Sequence, residues 1–268
     1  RNLRGFLEAG LEPNRLVGLF PAGVQPHLPG PEASDAQALV QATLAAGLPV
    51  DLMLTKIQEG CRKRVPPARI VEATRRMGDA LGQAAGFLAD ATRDGVGRQA
   101  GIVPGLVGNV ALNLWGGLGG DDLAQLRHRA AERPGGCTLE ELVAATDCAA
   151  SLITAGATSG DAVDIAAQAL GRHLSPQEMR EMTALVRAAN AKAPFDDVLT
   201  VVRARLGDGL GPHGIAEQMV RAGWLGPGEV PGAHGDSGPS AGPGSPGYPG
   251  GAGSDSRTGN TRAGGGSQ

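Results

Sequence analysis

"GLPVDLMLTKIQEGCRKRVPPARIVEATRRM", residues 47–77, decides how this chain folds. Val50, Met53, Ile57 and Cys61 recur three or four residues apart, as one face of a helix requires. Ile70, Thr74, Met77, Leu81, Ala84 and Leu88 trace a second, longer stripe, with Arg69, Glu72, Arg76, Asp79 and Gln83 turned away from it. Between the two stripes stands Arg64-Val65-Pro66-Pro67. Proline ends the helix before it and is tolerated in the first turn of the helix after it. The stretch therefore reads as two helices and their joint.

The same joint recurs along the chain. "GLEPNRL" (10–16), "GLPVDLM" (47–53), "RVPPARI" (64–70), "GLGGDDL" (117–123), "GATSGDA" (156–162), "HLSPQEM" (173–179) and "GLGPHGI" (209–215) align, with two apolar or alanine residues five positions apart. A glycine usually precedes the first, suited to the left-handed position after a helix. The apolar residue then packs back on the helix just ended, and Pro, Ser, Thr or Asp opens the next. Ser34/Gln37, Thr138/Glu141 and Ser175/Glu178 have capping-box spacing.

These signals predict helices near 2–9, 13–19, 35–46, 50–62, 67–93, 105–116, 121–132, 139–155, 160–171, 176–191, 195–206 and 212–222. No segment alternates like a strand, and the joints are unevenly spaced, which excludes a fixed-period solenoid. The expected fold is all-α: stacked helical hairpins of unequal length over 1–225, with sub-blocks 1–95 and 105–225. Residues 226–268 are rich in Gly, Pro and Ser and poor in apolar residues, and read as a disordered tail.

The composition fits. Aromatic residues are 3% of 268, so the core rests on aliphatic side chains. The longest uncharged stretch, 99–120, contains Pro104, Asn109, Asn113 and several glycines, and reads as a buried helix, not a membrane span. No signal-peptide pattern opens the sequence. Three cysteines, Cys61, Cys137 and Cys148, make no disulfide framework, although a Cys137–Cys148 bridge stays open.

Two blocks, Ala45–Met77 and "ATDCAASLITAGATSGDAVDIAAQAL" (145–170), resemble an uncharacterised family of helical, often secreted bacterial proteins. In the first, Gly47-Leu48-Pro49, Met53, Lys56, Glu59-Gly60, Lys63, Val65-Pro66 and Ile70 carry the likeness, interrupted by Cys61-Arg62. In the second, Gly156-Ala157 stands where the family has Gly-Val. The resemblance implies a helical fold and an extracytoplasmic setting, and brings no catalytic residues.

Sharp chemistry is hard to find. Glu59 precedes Lys63 by four residues and follows Lys56 by three, the spacing of ordinary helix ion pairs. Cys61 lies on an apolar stripe and reads as a small buried hydrophobe. His27, His128, His173, His213 and His234 match no zinc spacing, and no phosphate-loop or nucleophile-elbow motif occurs. No cofactor is implied, and the reading is non-enzymatic: a structural or protein-interaction module. The exception to blandness is charge. The chain carries a net charge of −3, yet residues 56–76 hold seven basic residues against Glu59 and Glu72. Arg62, Lys63, Arg64, Arg69 and Arg76 form a candidate patch for an anionic surface or polymer. The segment contains no aromatic residue for stacking, which argues against nucleic acid.

Overall fold

A computed structural model describes residues 28, 30–97, 102–226 and 228. The described residues contain ten helices and no strand: α1 (Gly30–Ala45), α2 (Asp51–Arg62), α3 (Pro67–Arg93), α4 (Pro104–Trp115), α5 (Gly120–Ala131), α6 (Leu139–Ala155), α7 (Ser159–Gly171), α8 (Pro176–Asn190), α9 (Phe195–Gly207) and α10 (Pro212–Arg221). They fall in Arg1–Ala233, the first of two units into which the chain divides. The expected helices at 2–9 and 13–19, and the tail from 229 onward, lie outside the described residues, as do His27 and His234.

One hydrogen-bonding device closes most of these helices. Leu48, Val65, Val96, Leu118, Ala157, Leu174, Leu210 and Trp224 each donate their backbone N–H to the carbonyl five residues earlier. The residue before each donates to the carbonyl three residues earlier and is left-handed. This is the Schellman motif, which satisfies the orphan carbonyls of a helix end. Glycine holds the left-handed position in six of these joints, and Arg64 (φ 54°) and His173 (φ 60°) hold it in the other two. The helices that end differently, α5 and α8, are followed by Pro134 and Pro194.

The five-residue spacing of the joints has a double cause. Val65, Leu118, Ala157 and Leu174 close one helix and also stand just before the N-cap of the next, at Pro66, Gly119, Thr158 and Ser175. Each is partly or fully buried, and so is the residue five positions on: Ile70, Leu123, Ala162 and Met179. The same residue thus ends one helix and staples the start of the next. Three or four residues suffice to reverse or redirect the chain. Leu210 breaks the pattern by staying 40% exposed, although Ile215 is buried.

Capping follows the sequence at Thr138/Glu141 and Ser175/Glu178, where both boxes close. It departs at Ser34, because α1 already begins at Gly30 and Ser34 lies inside it. Pro31, in the first turn of α1, supplies a preset φ and lacks the N–H a helix start leaves unsatisfied.

Both stripes of the opening stretch are buried: Val50, Met53, Ile57 and Cys61 on α2, and Ile70, Thr74, Met77, Leu81, Ala84 and Leu88 on α3. The long α3 receives α1, α2 and α4, while α6 receives α4, α7 and α8, and α10 closes on α8 and α9. In α6, Leu142–Thr146 are all buried, so this alanine-rich helix is packed on every side. Thr74, Thr146 and Thr183 return their hydroxyls to carbonyls of their own helices, which removes the cost of an unpaired buried donor. One apolar core runs from Leu28 to Leu225. No described helix is long and apolar enough to cross a membrane.

Candidate functional site: a basic hairpin end with a tryptophan

The joint between α2 and α3 gathers the basic residues. Arg62 ends α2, Lys63 caps it, Arg64 takes the left-handed position, and Arg69 lies in the first turn of α3. Arg76 follows seven residues on, roughly 10 Å along the axis. All five side chains are exposed. Cations suit the C-terminal end of α2, where the helix dipole is negative. Arg69 stands at the positive end of α3, so its charge adds to the helix field.

Carboxylates answer only part of this charge. Glu59 accepts from Lys63 Nζ at 2.6 Å and from Lys56 Nζ at 3.4 Å, and Arg75 pairs with Glu72 at 2.7 Å. The Lys63 ammonium, then that of Lys56, holds the Glu59 carboxyl below its ordinary pKa. Arg62, Arg64, Arg69 and Arg76 have no carboxylate within ion-pair distance among the described residues. Elsewhere arginines are commonly tied: Arg127 to Asp90 and Asp94, Arg133 to Glu141, Arg203 to Asp161 and Arg205 to Asp208.

The fold adds an aromatic residue to this site. No aromatic residue lies within the basic segment, but α4 brings Trp115 to it from elsewhere in the chain. Lys56 Nζ sits 5.4 Å and Arg76 Cζ 5.1 Å from the indole centroid. Each contact is a cation–π attraction worth about 0.5–1 kcal/mol at a partly solvated site. Trp115 is half-buried and also lines a shallow cleft of about 320 Å³ with Arg76, Asp79, Gln83 and Gly119. Nothing local in the sequence announces this meeting, because Trp115 lies 39 residues beyond Arg76.

The other polar groups with altered acidity serve structural ties. The Arg133 side chain is only 6% exposed and donates to Glu141 Oε1 at 2.9 Å and to the Leu170 carbonyl at 3.4 Å. Glu141 Oε2 accepts from the Thr138 N–H at 2.8 Å, so one carboxylate caps α6 and neutralises Arg133. Burial pushes Glu141 up, but the Thr138 N–H and the guanidinium outweigh it and hold its pKa below the usual value. Asn113 donates to Thr146 at 2.9 Å and Asp147 at 2.5 Å, joining α4 to α6. Burial raises Asp147 despite this bond and the nearby Arg180 charge.

All three cysteines are buried and unbridged. Burial raises the Cys61 thiol, pushes Cys137 up to about 11 and Cys148 up to about 12. The cations beside Cys61 in sequence point to water and do not activate it. His128, His173 and His213 are exposed, and the described residues contain no cluster of three metal-ligating side chains. A second cleft, about 570 Å³, lies between α5 and α7 and is lined by Arg129, Glu132, Arg133, Asp164 and Gln168.

Comparison with family models, with characterised proteins and with solved structures finds no match to the chain.

Proposed function

We propose that this protein is a non-enzymatic helical interaction module whose contact surface is the basic end of the α2–α3 hairpin and whose partner is anionic. The observation that carries the reading is a set of four exposed arginines, Arg62, Arg64, Arg69 and Arg76, left without carboxylate partners among the described residues. Arg64 adds weight. It occupies a left-handed position that glycine fills in most joints, at a conformational cost of roughly 1–2 kcal/mol. A charge retained at such a cost suits a surface that uses it. The non-enzymatic part rests on how the perturbed groups are employed: Glu59 and Asp161 in ion pairs, Glu141 in a cap, Asp147 in a bond to Asn113, the thiols in the core.

The test replaces Arg62, Lys63, Arg64 and Arg69 together by Gln and measures binding to anionic vesicles and to a soluble polyanion at low and high salt. Charge recognition acts within a Debye length, about 8 Å at physiological salt. Wild type should bind at low salt, release at high salt, and lose binding in the variant. Equal behaviour of the two proteins, or no binding by wild type at low salt, overturns the reading.

A further inference from the structure

The neighbour of the basic hairpin carries most of the exposed large hydrophobic side chains among the described residues. Among the described residues the exposed large hydrophobic side chains are Ile102, Val103, Leu112 and Leu210. Three of the four belong to α4 or the two residues leading into it. Ile102 is 41%, Val103 50% and Leu112 43% exposed. The rest of this outer flank, Pro104, Gly105, Asn109, Gly116 and Gly117, carries no charge. A single exposed leucine means little. A helix without one charged residue, with exposed apolar side chains just before its start and in its last turn, is unusual in a surface otherwise rich in charge.

This flank adjoins the cationic site. α4 packs on α3, and Leu52 of α2 comes within 3.8 Å of where a side chain at Gly108 would begin. Leu112 lies one turn before Trp115, and Trp115 carries Lys56 and Arg76 over its ring. From the last turn of α4 outward the order is Leu112, then the indole, then the ammonium and guanidinium groups over its ring. That order matches the depth profile of a bilayer interface: hydrocarbon edge, aromatic belt, anionic headgroups.

Resting on the anionic-partner reading above, we infer that the partner is a lipid bilayer bearing anionic headgroups, met peripherally. Arg62, Arg64 and Arg69 attract the headgroups, Trp115 sits at their level, and Leu112 reaches the acyl boundary, with Ile102 and Val103 extending the contact along α4. A soluble polyanion would use the arginines and have no use for the leucine.

The experiment uses the full chain with phosphatidylcholine vesicles, the same vesicles containing phosphatidylserine, and dextran sulfate. Each basic residue near an anionic bilayer is worth about fivefold in affinity, so Arg62→Gln/Arg64→Gln/Arg69→Gln should bind phosphatidylserine vesicles about a hundredfold more weakly. Leu112→Ser should lose about fivefold on those vesicles and nothing on dextran sulfate. All four positions are exposed, and circular dichroism of each variant checks that the helices persist. Binding to dextran sulfate without binding to vesicles overturns the membrane inference and leaves the anionic-partner reading standing. So does vesicle binding that Leu112→Ser leaves unchanged. Binding to neither overturns both.

Discussion

The Arg133–Glu141 pair offers a sharp energetic test of the packing. Arg133 is almost wholly buried, and its charge is answered by Glu141, whose side chain is 18% exposed. Glu141→Gln keeps the shape and one acceptor but removes the opposing charge. A buried charge stripped of its partner costs roughly 3–5 kcal/mol. The Gln side chain can still accept one bond and Glu141 keeps some access to water, so the lower end, about 3 kcal/mol, is expected. Replacing both partners, Arg133→Met/Glu141→Gln, removes the stranded charge and should recover most of that loss, leaving a deficit of about 1 kcal/mol for the weakened cap of α6. Urea unfolding followed by circular dichroism reads all three proteins. Because Glu141 titrates below its ordinary value, its contribution is fully present above the unfolded carboxyl pKa. It should fade as pH falls through the lower folded-state pKa, so wild type and Glu141→Gln should converge in acid. A single-variant loss well under 1 kcal/mol, or a double variant less stable than the single, would refute the view that Arg133 is held dry by one carboxylate.

Other expectations follow from particular positions. Arg64→Gly and His173→Gly should each stabilise by about 0.5–1 kcal/mol, the relieved left-handed cost less the extra chain entropy of glycine, read as a raised urea midpoint. Met77→Asp should cost several kcal/mol and Arg76→Asp only about 1 kcal/mol, chiefly its lost contact with Trp115, since Met77 is fully buried and Arg76 exposed. Gly97→Ala should cost about 1–3 kcal/mol in the same assay. A side chain there would start 2.6 Å from Leu139 Cγ at a φ of +64°.

Much of the fold was legible because its determinants are local. A Schellman end, a staple and a capping box each lie within seven residues, and a helical stripe repeats every turn, so "GATSGDA" and Ile70–Leu88 announce themselves. The joints at Gly95-Val96 and Gly223-Trp224 escaped the pattern because no described helix starts in register behind them, so the second apolar residue is missing. The Ser34 box misled because Gly30-Pro31 offers an earlier start. The site was legible only in its charges. Which of them are free depends on Glu59 and Glu72, and Lys63 proves to be paired. Trp115 could not be placed beside Arg76 without knowing that α4 packs along α3. The Arg133–Glu141–Leu170 tie likewise joins the loop after α5 to α6 and α7 and has no signature in any one of them.

Trp115 itself gives the most direct measurement of whether the basic hairpin end is the contact surface. The chain has two tryptophans, so Trp224→Phe leaves Trp115 as the sole indole. Its emission and acrylamide quenching should be followed as phosphatidylserine vesicles or dextran sulfate are added at low salt, with binding scored independently by co-sedimentation or retention. Engagement through Arg76, Lys56 and their neighbours should shield the indole, lower its quenching, and reverse on adding salt. Binding that leaves the emission and quenching of Trp115 unchanged would contradict the assignment and place the contact elsewhere on the protein.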